Sequence, residues 1–244
     1  PDEATKLLLR ELDGNRHVRV LRQELNGGFS KACNRGIRAA EAPLLVLLNN
    51  DTEVQEGWLP PLLDALGDPK TGAAGCLLLY PGGEAIQHAG IEFYREKGEL
   101  KPFHIGQFRR AASNSWCRER RDVVAITGAC LAFRKDALPG GVFLDEAYRN
   151  GYEDVDLCLR LKAGGWNIRY CGDSCAIHHE SVAAGRFVAE NDNLRIFQER
   201  WKKTADSLPG PMAKAALQDL RARRRYLQEP EPARAARMAK IAAR

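Results

Sequence analysis

Leu7, Leu8 and Leu12 repeat at helical spacing within Glu3 to Leu12 and predict a first helix. Val18 to Leu21 reads as a short strand, Asn26-Gly27-Gly28-Phe29-Ser30 as a turn, and Lys31 to Ala40 as a second helix. Leu44-Leu45-Val46-Leu47-Leu48 is apolar on both faces, the pattern of a central strand in a parallel sheet covered on both sides. Polar Asn49-Asn50-Asp51-Thr52 follows at its C-terminal end, and a helix is predicted from Trp58 to Leu66, with prolines in its first turn. Gly75 to Tyr80 and Ile86 to Tyr94 read as strands around a Pro-Gly-Gly turn, and Lys97 to Asp122 as a polar loop. Val123 to Arg134 reads as a strand interrupted at Thr127-Gly128-Ala129. Glu153 to Ala163 predicts a helix that buries Val155, Cys158 and Leu159 and is ended by Gly164-Gly165. Ile168 to Tyr170 reads as a strand, Ser174 to Ser181 as a loop and residues 188–203 as a helix.

Strands alternating with helices imply an α/β fold with a Rossmann-like, mostly parallel sheet flanked by helices. In such sheets ligands bind beyond the C-terminal ends of the strands, which is where Asn49 to Thr52 falls.

Charge changes this picture at one end of the chain. Residues 200–244 hold 12 Lys/Arg against 4 Asp/Glu, so the net charge of +5 leaves residues 1–199 slightly acidic. A basic tail on an acidic body argues against a nucleic-acid groove across the fold. It suits an appendage in contact with an anionic membrane surface. The longest apolar run, Ala42 to Leu48, falls far short of the roughly 20 residues that cross a bilayer. Seven scattered cysteines without a CxxC pair read as reduced thiols, which points to the cytoplasm, with the inner face of the membrane as the place where the tail would act.

Three segments carry candidate chemistry. Asn49 and Asp51 sit two residues apart after a buried strand, and their oxygens can point toward one cation of the Mg²⁺ or Mn²⁺ type. A plain Asn/Asp turn explains them equally. Glu153, Asp154 and Asp156 crowd a helix start, where the helix dipole favours acids. One of these carboxylates can instead take a proton from an attacking hydroxyl. His178 and His179 follow a strand and can hold a metal or a phosphate, or decorate a surface.

Taken together and in order, these residues resemble the family 2 glycosyltransferases of the GT-A fold, particularly bacterial rhamnosyltransferase and O-antigen enzymes. Asn26-Gly27-Gly28-Phe29-Ser30-Lys31-Ala32-Cys33-Asn34-Arg35-Gly36 looks like the family's N-x-G-F-x-x-x-x-N-x-G segment near the donor nucleotide. Leu48-Asn49-Asn50-Asp51-Thr52 is similar to its metal-binding D-x-D variant, with Asn49 where many members have Asp. Ile86-Gln87-His88-Ala89-Gly90 and Thr127-Gly128-Ala129-Cys130-Leu131 resemble later segments, the second lying near donor sugar and acceptor. Glu153-Asp154-Val155-Asp156 looks like the E-D catalytic motif, and His178 falls where the family often has a metal- or diphosphate-contacting histidine, a place His179 could also fill.

The resemblance covers about residues 1–203. It implies a GT-A domain over residues 1–208; residues 209–244, outside the resemblance, read from their Ala/Arg-rich composition as a basic helical tail broken by Pro230 and Pro232. It further implies a nucleotide-sugar donor, a glycan or lipid-linked acceptor, and Mg²⁺ or Mn²⁺ held by Asp51, Asn49 and His178. Asn26, Gly28, Asn34, Asn50, Gly128 and Ala129 would line the donor site. Asp154, with Glu153 beside it, would act as general base in a single inverting displacement. The family's opening strand, helix and second strand are not matched before the Leu7–Leu12 helix, so the chain is expected to be truncated at its N-terminus, leaving Leu44–Leu48 open on one flank. The competing reading is a catalytically silent GT-A domain that binds glycan or scaffolds a larger synthase.

Overall fold

The computed structural model describes residues 2–138, 143–179 and 190–203. The expected tail, 209–244, and residues 180–189 lie outside the described residues. Five helices and nine strands follow one another along the described chain: α1 (Glu3–Asp13), α2 (Phe29–Ala39), β1 (Leu44–Leu48), β2 (Thr52–Val54), α3 (Leu59–Gly67), β3 (Thr71–Leu79), β4 (Ile86–His88), β5 (Ile91–Glu96), β6 (Glu99–His104), β7 (Arg121–Asp122), β8 (Cys130–Arg134), α4 (Glu153–Ala163), β9 (Asn167–His178) and α5 (Glu190–Trp201).

The central sheet runs β1-β8-β3-β9-β2, with β4 on β3 and β7 on β9. The α/β class matches the expectation, but the sheet is mixed rather than mostly parallel. β3 and β9 pair in parallel, whereas β8 lies antiparallel to both β1 and β3. Strands β1, β3 and β9 therefore point the same way, as the alternation of strand and helix implied. The difference arises because β8, arriving from far along the chain, inserts between β1 and β3. Leu44–Leu48 is accordingly not central: among the described residues β8 is its partner, and Leu48 is 44% exposed. Its other flank borders an open groove lined by Phe29, Cys33, Ile37, Leu45 and Leu47. Val18 to Leu21 forms no strand, having no partner strand among the described residues.

Parts of two expected loops are strands. Lys97 and Gly98 both take positive φ and close a two-residue hairpin between β5 and β6, the turn geometry that matches strand twist. β9 continues through Cys171–His178 across a bulge, so the expected loop after Ser174 is largely sheet. All seven thiols are free. No described helix is long and apolar enough to cross a membrane.

β3 is buried along its whole length and alternates its side chains between two cores. Ala73 and Leu77 face a core shared with Ile37 of α2, Val155 and Leu159 of α4 and Phe197 of α5. Ala74, Cys76 and Leu78 face a smaller core under Leu62, Ala65 and Leu66 of α3.

Helices α4 and α5 are locked together by one carboxylate. Asp156 is fully buried and accepts from Arg160 Nε at 2.8 Å, Arg200 Nη1 at 2.7 Å, Trp201 Nε1 at 2.9 Å and Tyr148 Oη at 3.3 Å. α5 in turn holds the β5–β6 hairpin, because Gln198 exchanges two hydrogen bonds with the Leu100 backbone. Removing one partner from a buried charge cluster strands the others. Asp156→Ala should therefore lower stability by about 3–5 kcal/mol in urea denaturation. A loss below about 1 kcal/mol would show that α4 and α5 do not depend on this cluster.

Candidate active site

The polar loop after β1 is fixed at both ends. Asn49 N–H donates to Ala129 C=O at 2.9 Å, extending the β1–β8 ladder by one bond. Thr52 N–H closes a turn onto Asn49 C=O at 3.2 Å, and Thr52 is paired with His178 at the start of the β2–β9 ladder. His179 N–H donates to Asp51 C=O at 2.9 Å. These backbone bonds bring the Asp51 carboxylate to 3.2 Å from His178 Nε2, and the Asn49 carboxamide to 3.4 Å from the same nitrogen. The other ring nitrogen, Nδ1, lies 2.7 Å from Gln87 Oε1. His179 points elsewhere, its ring 2.7 Å from Glu53 Oε1 in an exposed pair. Of the two adjacent histidines, His178 is the one beside Asp51. Asn50 is exposed at the turn.

The start of α4 forms the second half. Asn150, Gly151 and Tyr152 take positive φ in succession and turn the chain sharply into the helix. Asp154 Oδ2 accepts the Gly128 N–H at 2.8 Å, and Oδ1 accepts the Val155 N–H at 2.8 Å. Burial pushes the Asp154 carboxyl above the usual aspartate range, against the opposing pull of those donors and of Thr127. Glu153 is turned the other way. It is 6% exposed, accepts the Gly151 N–H at 2.5 Å, and lies close enough to Cys33 to help burial push that thiol up to about 11.

The glycine-rich turn before α2 meets the same place. Asn26 Oδ1 accepts the Gly28 N–H at 3.0 Å, and Gly28 takes φ +83°, a conformation that favours glycine. Phe29 N–H reaches Asn150 Oδ1 at 3.3 Å. A side chain on Gly128 would stand 3.4 Å from Asp154 Cβ and 3.6 Å from the Phe29 ring. The structure thus gathers Gly28, Gly128, Ala129, Asp154, Asn49, Asp51 and His178 around the segment 127–129. It does not bring Asn34 there. That amide is buried and spans to Leu144, donating to its C=O at 2.8 Å and accepting its N–H at 2.9 Å, so it anchors α2 to the chain before α4.

Gln87 is a member of this cluster that residue type and spacing did not single out. The segment Ile86-Gln87-His88-Ala89-Gly90 was conspicuous, but its contact with His178 exists only in the folded sheet.

The donor set suits a hard divalent cation that is only partly held by protein. Asp51 offers a carboxylate, His178 an imidazole nitrogen, and a half-turn of the Asn49 amide presents Oδ1 in place of Nδ2. Among the described residues no three His, Cys, Asp or Glu converge to hold a metal. A site of this kind leaves positions for water and substrate phosphate oxygens, the arrangement in which Mg²⁺ is usually found.

The chain is 30% identical over 207 residues to the protein y4gI of Sinorhizobium fredii, covering 79% of this chain and 22% of that one. It is 32% identical over 152 residues to the O-antigen biosynthesis protein RfbC of Myxococcus xanthus, covering 62% of this chain and 12% of that one. The chain thus spans less than a quarter of the length of these relatives. Its fold matches the crystal structure of GalNAc-T7 with UDP, GalNAc and Mn²⁺ at a TM-score of 0.61 and 17% identity, over 84% of this chain and 41% of that one. The sequence model described as "Glycosyl transferase family 2" matches residues 1–139, and with the GT-A arrangement of the sheet around its polar loops the chain belongs to that family.

Proposed function

We propose that this chain is the working part of an inverting, divalent-cation-dependent glycosyltransferase. It moves a sugar from a nucleotide-diphosphate donor to a hydroxyl of a glycan or lipid-linked acceptor. The observation that carries the reading is the double engagement of one short segment: Gly128 N–H holds Asp154, and Ala129 C=O holds the Asn49 N–H. A proton acceptor and a cation-type donor set are thereby kept at a fixed separation, as a bimolecular displacement requires. The Mn²⁺ and UDP named for the GalNAc-T7 crystal support the same ligand class for this fold.

The contacts support the following roles. Asp51, His178 and Asn49 would hold the cation, which when bound neutralises the donor diphosphate and makes it a better leaving group. Gly28 and the first turn of α2 would line the donor side of the site, held there by the Asn26 and Asn150 side chains. Asp154 accepts the proton of the attacking acceptor hydroxyl as the glycosidic bond to the diphosphate breaks. Burial strengthens it as a base, because a carboxyl whose protonated form is favoured binds a proton more tightly. Glu153, bonded to the turn at Gly151, supports the helix start. The sequence charge of residues 209–244 supports their contact with an anionic membrane surface.

Two measurements test this reading. Asp154→Asn should retain cooperative melting and donor binding but lose about 10²-fold or more in turnover. In the wild type, kcat/KM should fall as pH is lowered through a value above the ordinary aspartate range, because the base is lost on protonation. Near-normal turnover in Asp154→Asn, with Glu153→Gln inactive, would reverse the two roles. Separately, donor turnover should vanish in excess EDTA and return with Mn²⁺ or Mg²⁺; full turnover in the chelator would remove the cation from the mechanism.

A further inference from the structure

We infer that Gln87 is the positioning residue that fixes the His178 imidazole in the one tautomer able to receive a cation at Asp51. The inference rests on the cation reading above and assigns a role to a residue outside the expected donor set.

Leu78 and Leu79 of β3 pair on one side with His88 and Ile86 of β4, and on the other with Ala176 and Ile177 of β9. β4 and β9 therefore flank β3 on opposite sides, and Gln87 and His178 meet across its end. Gln87 is 4% exposed and His178 6% exposed, so water cannot readily substitute for the bonds between them.

Two bonds then place a hydrogen on Nδ1. Gln87 Nε2 lies 3.1 Å from the His178 backbone oxygen. That oxygen can only accept, so the NH₂ end of the Gln87 amide must face it. Oε1 is thereby turned to the ring, where it lies 2.7 Å from Nδ1. An amide oxygen can only accept, so Nδ1 must carry the hydrogen. In a neutral imidazole, Nε2 is then the lone-pair nitrogen, and Nε2 is the atom 3.2 Å from Asp51 Oδ1 and 3.4 Å from the Asn49 amide. One side chain thus grips the backbone and ring of the same histidine, setting its tautomer and its rotation together. Such partners commonly change metal affinity by about 10–100-fold when removed.

The test uses Mn²⁺ alone as probe and the histidine ring as reporter. Long-range ¹H–¹⁵N correlation spectra of the ¹⁵N-histidine-labelled chain, assigned by comparison with His178→Gln, give the His178 tautomer directly. The expected result is hydrogen on Nδ1 in the wild type, and the neutral ring with hydrogen on Nε2 alone would overturn the inference without any variant. Gln87→Met, which keeps the length of the side chain, should release the tautomer and weaken Mn²⁺ binding by about 10–100-fold in calorimetry. Wild-type Mn²⁺ affinity in a folded Gln87→Met would overturn the role of Gln87 while leaving the cation site standing. Absence of Mn²⁺ binding in the wild type would overturn the cation reading and this inference with it.

Discussion

Gly128 and Ala129 present one backbone N–H and one backbone C=O in opposite service. The first holds the Asp154 carboxylate at 2.8 Å, and the second holds the loop of Asn49 through Asp51 at 2.9 Å. Everything around the site depends on this short crossing. β8 runs on from it, inserted between β1 and β3, so the strand that orders the sheet is continuous with the segment that orders the chemistry. A Cβ at Gly128 would stand in ordinary van der Waals contact with Asp154 Cβ and the Phe29 ring, so the segment, the base and α2 meet at this point.

Behind the crossing, rigidity comes from buried polar groups with their partners in place. Asp156 ties the working helix α4 to α5 through two arginines, a tryptophan and a tyrosine. Asn34 does the same for α2 and the chain before α4. Gln87 ties β4 to the last residue of β9. Each is a polar side chain in a buried position whose removal would leave its partners without water to turn to. Together they carry the two loops and the helix start as one body.

Much of this was legible in the sequence where the signal is local. The helix over Glu153–Ala163 carries acids at its start and a Gly-Gly stop, and it forms over that range. The β1 strand and its polar loop were equally plain. What escaped reading depends on distant partners. β1 sits at one end of the described strand order because β8, some eighty residues on, takes the place beside it. The β5–β6 hairpin turns on Lys97 in a conformation that residue type alone does not advertise. Asn34, through its place in a motif, was expected near the donor, yet its amide bonds to a backbone more than a hundred residues away. The choice between His178 and His179, and between Asp154 and Glu153, was also a matter of which neighbour the fold supplies.

The central claim is that the loop after β1, the end of β9 and the start of α4 form a single reaction centre. The most direct measurement is a crystal of this chain grown with Mn²⁺ and a nucleoside diphosphate, with the metal located by its anomalous scattering. The account predicts one peak within bonding distance of an Asp51 oxygen and His178 Nε2, bridged to the diphosphate, with Asp154 facing the same cavity. A metal and diphosphate bound elsewhere on the chain, with Asp51 and His178 still paired to each other, would contradict it.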